Sequence, residues 1–334
     1  MVAALKKLTG GDFAGRFSAW WDGRDYAPPT EESDESATSE MSETEGMDDV
    51  DADEAAEIAA PPKPSKPKAI STDASDALSP GASRIAALET LWGEGRFGPG
   101  SAELSSRLTD ALPPLEGGSE AQFGLVNGDP ALLKQVMAAT GACPVIAEWR
   151  VPCASRFREE FPDFEMVNGD LDRPPFEAGS LQLVVSLDAF AYSDHKSGLA
   201  VRMLRSLAPG GQWVVIDTMR GNSSSTFAPA FASSWCEPQL IDAHEVTEVC
   251  ESAGFELVSD EEDLSGDLLG AARQSFSRFG ESMGEQLSDK LSRVNRQVYM
   301  RELGWEVESW KWRQRALASE LIQIKMWKLR RPAE

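Results

Sequence analysis

Histidine occurs only twice in these 334 residues, at His195 and His244, and cysteine four times. Neither histidine has a Cys or His at ligand spacing, so no zinc site is expected. Cys143, Cys153, Cys236 and Cys250 show no CxxC pairing. For a chain this long they read as core or surface thiols in a reducing compartment rather than as a disulfide frame. No apolar run approaches the ~20 residues that a membrane-spanning helix needs. Met1–Lys7 carries charge, but no apolar core or cleavage site follows it, so no signal peptide is expected and the cytoplasm is the expected location. Basic residues are also scarce, 32 against 55 acidic, for a net charge of −23. Thirteen of the acids fall between Glu31 and Glu57, where there is no Lys or Arg. Most of the acidity therefore belongs to one tail. It repels phosphate, which makes nucleic acid and anionic membrane poor partners.

Three zones follow from the pattern of what is present. In residues 1–26, Phe13, Phe17, Trp20 and Trp21 recur at i, i+4, i+7 and i+8, which predicts a short amphipathic helix with one apolar face. That face has no domain beside it in sequence, so it is expected to dock a protein partner. Residues 27–79 are rich in Glu, Asp, Ser, Ala and Pro and cannot bury enough apolar surface to offset ordering entropy, so a disordered linker is expected. Residues 80–334 alternate strand-like and helix-like segments, which implies βαβ units and a parallel sheet. Helices are expected at Ser83–Leu91, Ala102–Leu112, Pro130–Thr140, Pro152–Glu160, Gly198–Leu207, Ala243–Ala253 and over a long stretch from Leu268 to Arg301. Strands are expected at Gln122–Asn127, Pro144–Glu148, Phe164–Val167, Leu181–Leu187, Gln212–Asp217, Phe255–Ser259 and Leu321–Leu329.

Six segments in this order carry a resemblance. They are Leu91-Trp92-Gly93-Glu94-Gly95 with Pro99-Gly100-Ser101, Asp170 in Asn168-Gly169-Asp170, Val184–Phe190, Leu207-Ala208-Pro209-Gly210-Gly211, Ala253-Gly254-Phe255-Glu256 and Ile322–Pro332. Over residues 85–332 the chain resembles the class I S-adenosylmethionine-dependent methyltransferases, in particular those acting on small molecules. The resemblance implies an α/β, Rossmann-like, seven-stranded sheet, mostly parallel with an antiparallel last strand. It also implies S-adenosylmethionine as cofactor.

In such a fold a Gly-rich turn after the first strand lets backbone amides approach the ligand, and an acid ending the second strand takes the ribose hydroxyls. Glu148 matches that acid, and Asp170 matches the residue that accepts from the adenine amino group. Asn127, Gly128, Leu171 and Ser186 complete the implied cofactor set. The turn itself departs from the pattern. It reads Gly-Leu-Val-Asn-Gly-Asp-Pro-Ala over 124–131, with Gly124 for the opening acid and Val126 and Pro130 where glycine is usual. Pro130 removes an amide donor, although proline is ordinary at a first helical position.

Asp188, at the end of the fourth strand, is a candidate contact for an acceptor amine or else a helix N-cap. His195 is a candidate base or else an exposed helix-start residue. Trp235, Glu237 and Pro238 resemble a substrate loop. Trp305, Trp310, Trp312 and Arg313 are expected to pack against the sheet, with cation–π contact as a second role. The expected activity is methyl transfer to a small or peptide-like acceptor. The rival is a non-catalytic member of the fold that recruits a partner through Phe13–Trp21. A dinucleotide-dependent oxidoreductase would share the logic of Glu148 but needs a better glycine turn.

Overall fold

The first strand, β1 (Gln122–Val126), buries Phe123, Leu125 and Val126 almost completely, as a short apolar run does when both faces of a sheet are covered. This is seen in a computed structural model that describes residues 79–223, 239–290 and 296–333. The expected Phe13–Trp21 helix, the linker apart from Ser79, and Trp235, Glu237 and Pro238 lie outside the described residues.

Helices α1 (Pro80–Trp92) and α2 (Ala102–Ala111) precede β1, and Ser79 and Ser101 cap them by accepting from Ala82 N–H and Leu104 N–H. After β1 come α3 (Pro130–Thr140), β2 (Cys143–Ala147), α4 (Val151–Glu160), β3 (Glu165–Val167) and β4 (Leu181–Leu187). Next are α5 (Ala189–Tyr192), α6 (Lys196–Ser206), β5 (Leu207–Arg220), α7 (Ala243–Ala253), β6 (Glu256–Leu257) and β7 (Glu262–Asp263). The described chain closes with α8 (Ser265–Lys290), α9 (Arg296–Ala318) and β8 (Ile322–Arg330).

The strands form one sheet in the order β3-β2-β1-β4-β5-β8-β6, with β7 also paired to β8. Pairings among β1 to β5 are parallel, and all pairings of β8 are antiparallel. Trp213, Trp327 and Phe190 are fully buried in one core cluster with Val184, Leu199 and Met203. Among the described residues no helix is long and apolar enough to cross a membrane.

Four segments differ from the sequence expectation. Pro209-Gly210-Gly211 lies inside β5 rather than ahead of it. Leu181 pairs Leu207 and Leu183 pairs Gln212, so the three residues are absorbed in a bulge, and Gly210 takes φ +78° there. A Cβ on Gly211 would lie 2.9 Å from Ala208 O. The edge strand expected over 255–259 is reduced to β6, and a further short strand, β7, follows it; both are held by β8. The helical stretch expected over 268–301 begins earlier, at Ser265 in α8, and α9 carries helix on to Ala318. Finally, Trp310 packs on α1 rather than on the sheet, meeting Trp92 at 5.0 Å between ring centroids, while Trp305 is exposed and Trp312 donates to Glu308 of its own helix.

Candidate functional site

The strand order changes direction between β1 and β4, and at such a point a crevice opens beyond the carboxyl ends of the strands. A cavity of about 480 Å³ lies there, lined by the β1–α3 turn, the segment after β2, the end of β4 and parts of α1, α2 and α9.

The turn keeps only Gly128 of the usual glycines. Asn127 takes the left-handed conformation, φ 56°, and its backbone N–H continues the ladder to Ala147 O at 3.2 Å. Asparagine tolerates this region better than other non-glycine residues. Gly128 is required for a different reason, since a Cβ there would lie 2.6 Å from the Leu125 side chain. Asp129 caps α3 by accepting from Leu132 N–H at 2.7 Å, and its other oxygen accepts from Phe97 N–H at 3.3 Å. Burial pushes the Asp129 carboxyl up, against the pull of those two donors and of Arg96 and Arg150. Ala131 N–H donates to Gly95 O at 3.0 Å, and Pro130 has no N–H. The first donors of α3 are thus occupied within the chain. One polar atom of the turn has no partner: Asn127 Oδ1, fully buried beside the cavity.

Glu148 follows β2 and is itself enclosed, at 1 % exposure. Arg150 wraps it. The Arg150 backbone N–H and Nε both donate to Oε1 at 2.8 Å, and Nη2 donates to Oε2 at 2.7 Å. The same Nη2 reaches Asn127 O at 3.1 Å and Gly128 O at 3.4 Å. Burial alone would depress the guanidinium, but the adjacent Glu148 carboxylate overrides this and holds it above its ordinary value. Trp149, 40 % exposed, turns a ring toward Tyr192 with centroids 5.9 Å apart.

Asp188 lies across the cavity in a left-handed conformation, φ 48°. It occupies the N-cap position of α5 but makes no cap bond. Instead Oδ1 accepts from Thr218 N–H (3.1 Å) and Thr218 Oγ1 (2.7 Å), and Oδ2 pairs with Arg313 Nη2 at 3.3 Å. Arg313 in turn lies over the Trp310 ring at 4.4 Å. The capping of α5 falls to Asp217, which accepts from Phe190 N–H (2.6 Å) and Ala191 N–H (2.9 Å). Asp217 is fully buried, and burial together with the neighbouring Asp188 charge pushes its carboxyl well up.

The structure brings Asn127, Gly128 and Asp188 to the cavity, with Glu148 directly behind Arg150. It does not bring Asp170, Leu171, Ser186 or His195 there. Asp170 is exposed and accepts from Asp172 N–H. Leu171 packs on the core cluster. Ser186 is wholly buried and accepts from Trp213 Nε1 at 2.9 Å, because strand alternation turns it away from the crevice. His195 starts α6 and is exposed, with no side-chain cap bond. It borders a wider hollow of about 1100 Å³, which shares no residue with the cavity. The smaller cavity is the better site because it lies at the strand switch and is walled by aromatic side chains. Among the described residues there is no cluster of three or more His, Cys, Asp or Glu suited to a metal.

Sequence reasoning passed over Arg150, Asp129 and Asp217. A Glu-x-Arg at a strand end was the available signal for the first, and an Asp-Pro at a helix start for the second.

Neither family models nor curated proteins match this sequence. Solved structures do. Phosphoethanolamine N-methyltransferase 2 of Haemonchus contortus, bound to phosphomonomethylethanolamine and S-adenosylhomocysteine, aligns at TM-score 0.60 and 16% identity. That match covers 74% of this chain and 57% of the other, so this chain spans little more than half of that protein's length. The [4+2]-cyclase SpnF aligns at TM-score 0.55 and 16% identity over 75% of this chain and 93% of its own. Geranyl diphosphate C-methyltransferase from Streptomyces coelicolor A3(2), bound to Mg2+, geranyl-S-thiolodiphosphate and S-adenosyl-L-homocysteine, aligns at TM-score 0.51 and 13% identity over 69% and 76%. The fold is that of the class I S-adenosylmethionine-dependent methyltransferases. A cyclase among these neighbours shows that the fold does not by itself fix the reaction.

Proposed function

We propose that this chain binds S-adenosylmethionine in the cavity beyond β1, β2 and β4 and transfers a methyl group to a small or peptide-like acceptor. The observation that carries the reading is a cavity of about 480 Å³ at the strand switch, with a buried, unpartnered amide oxygen on Asn127 at its edge. Its size suits a small molecule, and the orphaned oxygen fits a ligand's N–H or O–H.

The residues fit the cofactor as follows. Asn127 Oδ1 takes a donor, Trp149 offers a face to the adenine ring, and Glu148 takes the ribose diol once Arg150 yields it. Asp170 and Leu171 belong to the adenine side on the resemblance alone. S-adenosylmethionine supplies, when bound, an electrophilic methyl on a sulfonium. The chain's part is orientation and exclusion of water, and no catalytic residue is required. Phe97, Tyr192, Trp305 and Trp310 form apolar walls, and Asp188, paired with Arg313, accepts a hydrogen bond from an acceptor's N–H.

Binding should be loose. The α3 start has given up its first donors, and each hydrogen bond lost to a charged group costs about 1.5–3 kcal/mol, against about 1.4 kcal/mol per tenfold in affinity. Calorimetric titration of the full chain with S-adenosylmethionine and S-adenosylhomocysteine should give dissociation constants on the order of tens of micromolar. No heat at millimolar ligand would sink the reading. The occupied donors of α3 and the covered Glu148 also favour a second reading, a binding-only adaptor. Measurable binding without methyl transfer to any component of a metabolite and peptide extract would decide for it.

A further inference from the structure

A buried carboxylate that is to receive a ribose diol needs both oxygens within reach of the ligand, and here both are taken. Arg150 places three donors on Glu148, at 2.8, 2.8 and 2.7 Å, and anchors the same guanidinium on the carbonyls of Asn127 and Gly128. Its side chain is 33 % exposed while that of Glu148 is 0 %, so Arg150 is the layer between the acid and the cavity. It is held there by geometry as well as charge: the backbone N–H of the same residue fixes one carboxylate oxygen, and the guanidinium lies 5.9 Å from the Phe97 ring centroid.

We infer that Arg150 is a specificity-determining residue of this site, one that competes with the vicinal diol of an adenosine ligand for Glu148. The inference rests on the proposed cofactor reading. Any ligand using Glu148 must exchange a charge-assisted fork for two hydroxyl donors, which are weaker partners for a carboxylate. A ligand lacking the diol has nothing to exchange and binds with Arg150 in place. The site therefore discriminates less between ribose and deoxyribose compounds than a free carboxylate would.

Calorimetry on the full chain tests this with S-adenosylhomocysteine, adenosine and 2′,3′-dideoxyadenosine. Arg150→Met should tighten the first two by about tenfold or more and leave the third unchanged. Arg150→Lys keeps a cation but cannot span the same contacts, and should tighten the diol ligands by a smaller factor. It carries the test if Arg150→Met, monitored by thermal melting, does not fold. If wild type binds S-adenosylhomocysteine and neither variant binds it more tightly, or if the dideoxy compound gains equally, the inference is overturned while the cofactor reading stands. If wild type and variants all fail to bind any adenosine compound at millimolar concentration, the cofactor reading falls and this inference with it.

Discussion

Asp217 is a carboxyl group enclosed by protein, with Asp188 beside it and three backbone N–H groups from Phe190, Ala191 and Thr218 directed at its oxygens. The donors favour the charged form, yet burial and Asp188 outweigh them and raise the native value well above the ordinary 3.8. The native state therefore holds a proton that the unfolded chain has released, throughout the window from about pH 4 up to the raised native value. Stability from this group is complete below that window and is lost as pH rises through it. In Asp217→Asn that component is absent. As pH rises above about 4, urea unfolding of wild type should therefore lose more stability than that of the variant. Identical pH slopes would mean that Asp217 stays ionised. At the same scale, Glu148 was legible in sequence as a strand-end acid, but Arg150 was not. The Glu-x-Arg spacing allows the two side chains to meet, but the guanidinium is also anchored on the carbonyls of Asn127 and Gly128, more than twenty residues away, which no local pattern shows.

Between elements, the contact of α1 with α9 depends on Glu306. Its carboxylate accepts from Trp92 Nε1 at 3.0 Å and from Arg84 Nη2 at 2.7 Å, in surroundings that leave it 6 % exposed. Removing it strands a buried indole N–H, while Arg84 keeps the carbonyl and the carboxylate of Glu302. Glu306→Ala should cost about 2–3 kcal/mol, and Glu306→Gln, which keeps an acceptor for Trp92, about 1 kcal/mol. Denaturant titration would show this, and a loss below about 1 kcal/mol for the alanine variant would refute it. Elements with strong local punctuation were read from sequence to the residue. Pro130–Thr140 has an aspartate cap, a first-turn proline and Gly141 at φ 70°, while Ala243–Ala253 has a capping box from Asp242 and Glu245 and Gly254 at φ 106°. Leu181–Leu187 was legible as a short apolar run. The elements misread are those fixed by distant partners. β5 runs from Leu207 to Arg220 because β4 pairs it through a bulge and β8 pairs it along nine residues, and Pro-Gly-Gly alone signals only a turn. β6 and β7 are short because β8 offers them only two residues each.

For the molecule as a whole, Ser75–Glu334 forms a compact unit with its own core, centred on Trp213, Trp327 and Phe190 on one side and Trp92, Trp310 and Phe276 on another. A fragment of residues 80–334 should therefore melt within about 3 °C of the full chain, because a shift of that size corresponds to about 1 kcal/mol for a domain this large. A drop of ten degrees would show that the preceding residues contribute to the fold. The position of β8 has a consequence for how the protein is made. It lies between β5 and the β6/β7 pair, bonded on both sides, yet it follows both in the chain. While a ribosome is still producing α8 and α9, the long β5 is an open margin of the sheet, with the peptide groups facing the place of β8 unpaired. Nascent chains at that stage are exposed to edge-to-edge association, and closure waits on contacts of large sequence separation. Stalling synthesis just before Ile322 should yield a chain that chaperones retain, whereas stalling long enough after Arg330 for β8 to emerge should yield one they release.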